Sequence, residues 1–324
     1  MAKLAVIVGA TGTQGNSVIG ALLKDPSYKI RAITRNPSGV KGKALSAQGV
    51  EVVAADLNDE ASLVKAFSGA SVIFGVTDFF EPFARTNAEE AMKVEYGQGI
   101  NVVSAASKTP SLEHFIWSTL PDARKISNGE YVVPHFDSKT RIDAYIKENK
   151  SLLSKTTFLY ITYYSSNLFY PPLAPNFVKS SGKYVWFMPL SADTPLAHIG
   201  DPSANIGVFA KAILAKGEQA RGGKYVLASV QENTFGEALA DWAKHSGKTD
   251  QTALVQVNFE DYQVLWGKWA TEMGIMLKWW GVAKDQSWTV ATGEPLLKAA
   301  DLGLSQKDFV LPGQAWQAMD WSSI

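Results

Sequence analysis

The sequence predicts an α/β protein, a doubly wound parallel sheet followed by a smaller mixed α/β lobe. Short apolar segments alternate with helical patterns through residues 1–164, and these segments are apolar on both faces, which is typical of buried parallel strands. A glycine-rich turn, GATGTQG, joins the first predicted strand to the first helix. After about residue 165 the alternation ends, and aromatic residues and prolines become frequent.

Each element is predicted from its apolar pattern and its flanking turn residues. Strands are predicted at 4–8, 29–34, 50–54, 71–76, 114–117 and 157–161. Helices are predicted from near Gln14 to residue 23, at 42–48, 60–67, 89–106 and 138–147, and in the second half at 205–214, 235–245 and 260–276. We divide the chain into a Rossmann-type domain, 1–164, and a smaller lobe, 165–324. Because no repeat or low-complexity linker separates the two parts, we expect one compact unit.

The composition excludes several classes of protein. The 324 residues include 31 basic and 31 acidic side chains, so no net charge attracts nucleic acid or an anionic membrane, and direct nucleic-acid binding is not expected. Cysteine is absent, which excludes disulfides and thiolate catalysis, and the four histidines are too far apart to predict a metal site. The one uncharged run that could span a bilayer, 156–178, is interrupted by prolines. We expect a soluble intracellular protein, in the cytoplasm or also in the nucleus.

The glycine-rich turn predicts a dinucleotide site. Gly9 permits the tight turn, Gly12 lets backbone amides approach a pyrophosphate, and Gly15 allows the helix to pack closely on the strand. The helix begins beside Thr11, Thr13 and Gln14, and its free N–H groups would face the phosphates. The alternative interpretation is a glycine-rich turn that holds no ligand.

The segment after the second strand, TRNP, favours NADP(H) over NAD(H). NAD-binding proteins carry an acidic residue about 20 residues after the glycines, whereas this chain has Arg35 there, followed by Asn36, and no acid between residues 26 and 50. A guanidinium can bind the 2′-phosphate in bidentate fashion. The lysines of the same segment, Lys29, Lys41 and Lys43, are expected to be solvated surface charges.

Two further strand ends supply candidate cofactor contacts. After the third strand, Asp56 and Leu57 are expected to flank the adenine, and Asp56 is also a candidate helix cap. After the fourth strand, Thr77, Asp78 and Phe79 are expected beside the cofactor ribose. The phenylalanines of this segment could belong either to the core or to a pocket.

Five motifs together resemble the NmrA-like family of atypical short-chain dehydrogenases. They are GATGTQG, TRNP, HFIWSTLPD with Ser118, HFDSK with Lys139 and YYSSN with Asn167, and their order and spacing match from about residue 3 to about residue 300. TRNP and HFDSK are most similar to the branch of NADPH-sensing redox sensors. The resemblance implies an NADP(H)-binding Rossmann-type domain and, in several members, regulation through a protein partner. It also implies that Arg35 holds the 2′-phosphate, Lys139 the ribose or nicotinamide end, and Tyr164 to Asn167 the nicotinamide side.

The chain departs from the family of catalytic short-chain dehydrogenases at the helix that carries Lys139. Those enzymes place a tyrosine four residues before the lysine, and here that position is His135. The nearest tyrosine upstream, Tyr131, precedes a Val-Val-Pro segment that should end the helix before it. His135 could act as acid or base, or only pack at the helix start; Lys139 could do so, or only hold the ribose hydroxyls. Ser118 could orient a substrate or bond a neighbouring backbone group.

Two functions from different classes remain open. The missing tyrosine and the HFDSK match favour a redox sensor or regulator whose affinity for a protein partner depends on the nicotinamide form. The aromatic second half favours an NADPH-dependent oxidoreductase of an apolar, ring-bearing small molecule. Its aromatic residues could form a pocket, a core or a partner surface: Tyr163, Tyr164, Phe169, Trp186, Phe187, Trp279 and Trp280. We rank the sensor slightly ahead of the oxidoreductase. The protein is expected to be a monomer or a homodimer. Asp201 is expected to cap a helix.

Overall fold

A computed structural model describes residues 2–248 and 251–324 of the chain. The strands are β1 Lys3–Ile7, β2 Tyr28–Thr34, β3 Glu51–Ala54, β4 Val72–Gly75, β5 His114–Thr119, β6 Thr156–Ile161, β7 Tyr163–Tyr164, β8 Asn176–Val178, β9 Lys183–Met188, β10 Pro195–Gly200, β11 Lys224–Ala228, β12 Gln231–Thr234, β13 Thr252–Gln256 and β14 Leu296–Leu297. The helices are α1 Thr13–Leu22, α2 Val40–Ala47, α3 Glu60–Phe67, α4 Phe80–Arg85, α5 Ala88–Ser107, α6 Ala123–Ile126, α7 Pro134–Glu148, α8 Lys150–Leu153, α9 Pro202–Lys216, α10 Phe235–His245, α11 Phe259–Ala283 and α12 Pro312–Ala318.

Eight parallel strands form the large sheet, in the order β14-β11-β6-β5-β4-β1-β2-β3. The chain moves outward from β1 to β3, then returns to β4 on the other side of β1. The connections after β1 and β4 therefore diverge, and a crevice opens at the carboxyl ends of these two strands. Ligands of doubly wound sheets bind in such a crevice. The predicted doubly wound fold is confirmed.

The structure confirms the predicted strands and helices and adds elements that were not predicted. α7 begins at Pro134 rather than at residue 138, because proline is favoured in the first turn of a helix. Tyr131 accordingly lies outside α7, as expected, and Asp201 caps α9 by accepting the Ser203 N–H at 2.9 Å. The short helices α4 and α6 were missed. Strands β11 and β14 also join the large sheet from beyond residue 164, so both sides of the predicted domain boundary contribute to it.

A second core, rich in aromatic residues, is built mostly by the second half of the chain. Two three-stranded sheets, β12-β10-β7 and β13-β9-β8, pack with α10, α11 and α12. Fully buried large side chains fill the space between them: Trp186, Trp242, Tyr262, Trp279 and Trp316. Two of the aromatic residues singled out from the sequence, Trp186 and Trp279, are therefore core residues. Within the described ranges, no helix has both the length and the apolar character that a bilayer crossing requires.

Helix α9 of the second half packs directly on α1, the helix that follows the glycine-rich turn. The Gly207 N–H donates a hydrogen bond of 2.8 Å to Ser17 Oγ. A Cβ at position 207 would lie 2.2 Å from the Ser17 carbonyl oxygen, so the two backbones meet at a distance that only glycine allows. This contact fixes α1, and with it the turn, against the rest of the molecule.

Gly207→Ala should therefore destabilise the protein by about 1–3 kcal/mol, since the methyl group forces the two helices apart. Gly20→Ala is the matched control. Gly20 lies on the exposed face of α1, and a Cβ there meets nothing within 4 Å. That control should leave the free energy of unfolding unchanged or raise it by up to about 1 kcal/mol. Urea unfolding of both variants tests the contact, and equal stabilities would contradict it.

Candidate functional site

A cavity of about 1000 Å³ opens at the carboxyl ends of the strands and continues to the second half of the chain. We call its part over the sheet the dinucleotide groove, which is lined by residues 8, 9, 11–14, 33–36, 41, 55–57 and 76–79. We call its other part the aromatic chamber, which is lined by Phe80, His135, Phe136, Tyr163, Leu173, Trp266, Trp269, Met273, Met276, Trp280 and Trp288. Ser118, Lys139, Tyr164 and Asn167 also line the cavity. The fold thus brings together the predicted cofactor and catalytic residues, except Gly15.

The glycine-rich turn has the geometry of an anion site. Gly9 has φ +65°, in the left-handed region that favours glycine, and the Gly12 N–H donates to the Gly9 carbonyl at 2.9 Å. α1 starts at the next residue with neither a capping side chain nor an acidic residue in its first turn. Its first N–H groups are therefore free to receive an anion from the groove. Gly15 does not line the groove, since a Cβ there would lie 2.4 Å from the Gly9 oxygen.

Across the groove, Gln14 is held by Tyr164. Gln14 Nε2 donates a hydrogen bond of 3.0 Å to the Tyr164 hydroxyl, and burial raises the pKa of that phenol. Gln14 Oε1 is buried and has no hydrogen-bond partner among the described residues. A buried carbonyl oxygen without a donor is costly, so this atom is suited to a donor on a ligand.

Two cations line the end of the groove beyond β2. The Arg35 guanidinium, 64% exposed, makes a bidentate pair with Glu81 of α4, at 3.1 and 3.2 Å. Lys41 is exposed, as expected of a surface charge, and it also donates to the Thr11 carbonyl oxygen at 3.1 Å and lines the cavity. Asp56 also lines the groove, but it is not the cap of α3. Asp59 accepts the N–H groups of the first turn instead.

Lys139 is held by a buried network that the sequence analysis missed. Its Nζ lies 2.8 Å from Glu95 Oε1 and donates to the Thr77 carbonyl and hydroxyl oxygens at 3.0 and 3.2 Å. Glu95, on α5, is fully buried and also accepts from the hydroxyls of Thr77 and Ser138. The sequence did contain a signal that Glu95 is buried. Ala91 and Gly99, each one helical turn away from it, are small buried residues on the same face of α5.

His135 is paired with a second buried acid, Glu272 of α11. Glu272 Oε1 accepts from the His135 backbone N–H at 3.1 Å and also bonds the ring at Nδ1. The ring packs against Phe79 and Phe80, with ring centroids 5.9 and 5.2 Å away. Nothing local in the sequence predicted Glu272, since the pattern of α11 identifies a helix but not the partner of one acid on it.

Ser118 and Thr119 end β5 at the floor of the cavity. The Ser118 side chain lines the cavity and makes no hydrogen bond to the described part of the chain. The Thr119 hydroxyl donates to Asp143 Oδ2 at 2.9 Å, one turn of α7 beyond Lys139. Burial raises the pKa of Asp143 to about 8. This carboxyl is therefore neutral over much of the physiological range.

The aromatic residues singled out from the sequence divide between pocket and core. Tyr163, Tyr164 and Trp280 line the cavity, whereas Phe169 is partly exposed and stacks on Trp321 at 4.5 Å. Most of the chamber was not predicted, because it is formed by one face of α11 and by the start of α4. No group of three or more acidic or histidine side chains within 2–248 and 251–324 is arranged to hold a metal ion.

Asp143→Asn should change the pH dependence of stability. The pKa of Asp143 lies near 8 in the folded chain against an ordinary 3.8, so unfolding releases a proton between these values and wild-type stability falls as pH rises. The asparagine does not titrate, so its stability relative to wild type should increase by about 2–4 kcal/mol from pH 5 to pH 8. Urea unfolding at both pH values measures this, with exposed Asp285→Asn as control. A difference independent of pH would contradict it.

Comparison with known proteins identifies relatives along most of the chain. A sequence model of the NmrA-like family matches residues 1–292. An NmrA-like family domain-containing oxidoreductase of Aspergillus hancockii is 31% identical over 180 residues, which cover 54% of this chain and 50% of the relative. An NmrA-like family domain-containing protein of Dictyostelium discoideum is 32% identical over 192 residues, which cover 57% and 59% of the two chains. The matches thus span about half the length of these curated relatives.

Solved structures with the same fold include a regulator and reductases. NmrA, a negative transcriptional regulator, superposes with a TM-score of 0.70 at 19% identity and covers 99% of this chain and 93% of its own. Triphenylmethane reductase of Citrobacter sp., complexed with NADP(H), has a TM-score of 0.66 at 24% identity, covering 98% and 100%. At these identities the likeness shows the fold alone. Because the family model covers most of the sequence, as the five motifs predicted, the chain belongs to the NmrA-like family.

Proposed function

We propose that this protein binds NADP(H) in the dinucleotide groove and reduces an uncharged, ring-bearing small molecule in the aromatic chamber. One observation carries the proposal. A single cavity extends from the glycine-rich turn to the chamber, so a molecule in the chamber would share it with a dinucleotide in the groove. The cavity volume of about 1000 Å³ is at the upper end of the range of small-molecule sites, which measure about 300–1000 Å³.

The groove fits the two phosphates and the amide of a dinucleotide. The free N–H groups at the start of α1 suit a pyrophosphate, and the unpartnered Gln14 Oε1 suits a donor on the cofactor. NmrA has also been solved in complex with NADP and triphenylmethane reductase in complex with NADP(H), which supports the same kind of cofactor here.

The cations beyond β2 support NADP(H) over NAD(H). Arg35 already makes a bidentate pair with a planar oxyanion, the Glu81 carboxylate, and the 2′-phosphate presents the same geometry with more charge. Lys41 also lines the groove, with its Nζ at the Thr11 carbonyl oxygen. In this proposal the phosphate replaces Glu81 as the partner of Arg35.

Lys139 and Ser118 receive positioning roles in the proposed reaction. Bound NADPH would supply a hydride. Because the Lys139 ammonium is already held by Glu95 and Thr77, it is a fixed cation suited to orient ribose hydroxyls rather than a proton donor. The Ser118 hydroxyl lines the cavity without an internal partner, so it can bond a carbonyl oxygen of the substrate.

The names of several relatives support a reductase. The Aspergillus relative is an oxidoreductase, and an NADPH-dependent quinone oxidoreductase of Escherichia coli has the same fold, with a TM-score of 0.66 at 21% identity and coverage of 96% and 98%. The chamber itself indicates the substrate class. Its lining is mostly aromatic and methionine side chains, which favour flat apolar molecules.

The redox-sensor function remains the second candidate, supported by exposed apolar side chains at the cavity. Tyr170 and Trp269 line the cavity, yet they are 60% and 38% exposed, and Leu265 of α11 is also exposed. Apolar exposure of this kind is typical of binding surfaces. A partner bound there would contact residues that also face the cavity contents. The NmrA regulator shows that the same fold occurs in a regulatory protein.

The 2′-phosphate assignment predicts opposite effects of two neighbouring substitutions. Arg35→Ala should weaken NADPH binding about 10–100-fold, because a charge-assisted pair is lost, and should leave NADH binding unchanged. Glu81→Gln should strengthen NADPH binding, since it frees Arg35 and removes a negative charge beside the phosphate. Calorimetric titration of each variant with NADPH and NADH measures both effects. If both cofactors respond alike to these substitutions, Arg35 does not hold the 2′-phosphate.

The reductase is tested by NADPH consumption with 2-naphthaldehyde, benzylideneacetone and 1,4-naphthoquinone as acceptors. Turnover is expected with at least one, and Met276→Trp, which fills the chamber, should abolish it while NADPH affinity is retained. Val264→Trp, at a position 85% exposed, is the control. Absence of turnover with all three acceptors, together with a tenfold or larger preference between NADPH and NADP⁺, would favour the sensor instead.

A further inference from the structure

We propose that His135 and Glu272 form a proton-donating dyad at the aromatic chamber. His135 Nε2 is the catalytic atom, and Glu272 is the positioning residue that holds the ring. The inference rests on the proposed function, because it names the group that supplies the proton of that reduction.

A single oxygen of Glu272 fixes both the backbone and the ring of His135. Oε1 accepts a hydrogen bond from the His135 backbone N–H at 3.1 Å and also bonds ring atom Nδ1. The two bonds together hold the ring in one orientation relative to α7. In the proposed dyad Glu272 is a carboxylate, which can only accept, so Nδ1 carries the hydrogen. The other ring nitrogen, Nε2, is then the atom that exchanges a proton with whatever occupies the chamber.

The Nε2 atom belongs to a residue that lines the cavity but is only 5% exposed. Nε2 makes no hydrogen bond to the described residues. It is also not fully buried, since it is absent from the set of completely buried polar atoms without a partner. Phe79, Phe80 and Phe136 pack around the ring, with centroids 4.7 to 5.9 Å away. The ring is thus shielded from bulk water on several sides, and the cavity that His135 lines is the open route to its free nitrogen.

The burial of Glu272 is difficult to explain by structure alone. The residue is 1% exposed, its Oε2 has no hydrogen-bond partner, and no lysine or arginine of the described chain pairs with it. Burying a carboxylate costs several kcal/mol, and a neutral side chain could bond the start of α7 without that cost. A charge at this position is useful to a ring that gains and loses a proton.

The position of His135 relative to Lys139 places the dyad in the reaction site. The two residues lie one turn apart on α7, and both side chains line the cavity. Lys139 is held by acceptors in its own network, whereas His135 has a free nitrogen. In this proposal Lys139 orients the ribose hydroxyls and His135 donates the proton.

The proposed step balances for a carbonyl acceptor. The hydride adds to the carbonyl carbon, and the π electron pair of the C=O bond moves to oxygen. That oxygen takes the proton from Nε2, and the electron pair of the broken N–H bond stays on the ring. His135 is left neutral, still bonded through Nδ1 to Glu272, and regains a proton from water.

The first measurement is the tautomer of His135 in ¹⁵N-histidine-labelled protein without cofactor, by long-range ¹H–¹⁵N correlation. Wild type should carry the hydrogen of the neutral ring on Nδ1. Glu272→Gln retains an acceptor oxygen and should keep that tautomer, whereas Glu272→Leu should shift it toward Nε2–H. The proposal is overturned if Glu272→Leu leaves the tautomer unchanged.

The second measurement is turnover of NADPH with the same three acceptors. His135→Gly should reduce kcat about 10²–10⁴-fold and recover with added imidazole, because the solute replaces the missing proton donor. Glu272→Leu should reduce kcat at least about tenfold through the wrong tautomer, and imidazole should not restore it. NADPH affinity should be unchanged in all variants, and Glu89→Gln, an exposed residue of α5, is the matched control.

The outcomes separate this inference from the proposed function. If wild type turns over and His135→Gly retains its rate, the dyad is wrong and the reductase stands. If His135→Gly does not fold, the tautomer and the kcat of Glu272→Leu decide the question. If wild type oxidises no NADPH with any acceptor, the reductase fails and the dyad fails with it.

Discussion

The buried ion pair between Glu95 and Lys139 is the interaction on which the geometry of the site depends. It joins α5 to α7, and through Thr77 it also ties both helices to the end of β4. Removing one member of such a pair leaves a charge uncompensated and costs about 3–5 kcal/mol. Because α7 is rigid over this length, the rotation that places Lys139 also sets the direction of His135 one turn earlier. The Glu95–Lys139 pair thus places the turn of α7 on which Glu272 then holds the His135 ring.

The second half of the chain supplies most of the aromatic chamber and two strands of the large sheet. α11 supplies Trp266, Trp269 and Met273 to the chamber, and β11 and β14 extend the large sheet from beyond residue 164. The groove depends on local features of strand ends and a helix start. The chamber instead depends on how α11 lies across α4 and α7. The dinucleotide groove and the aromatic chamber are therefore built by different kinds of contact.

Local sequence patterns predicted the groove but not the pairing of buried acids. The glycine-rich turn, Arg35 and the residues after β4 follow short strands, and the topology of a parallel sheet brings such ends together. Glu95 and Glu272 pair with residues 44 and 137 positions away, a relation that periodicity does not encode. α4 was missed because it has six residues and contains Pro82. Pro134 marks the start of α7, but the sequence analysis placed that start four residues later, at residue 138.

The contact between Glu272 and the start of α7 also limits how this protein can diversify. Replacing α11 as a whole would remodel the chamber wall and at the same time remove the acid that bonds His135 at the start of α7. Substitutions on the exposed or chamber-facing positions of α11, such as Trp269 and Met273, avoid that loss. The chamber can therefore be reshaped by single substitutions around Glu272, whereas replacement of the whole helix would also release the start of α7.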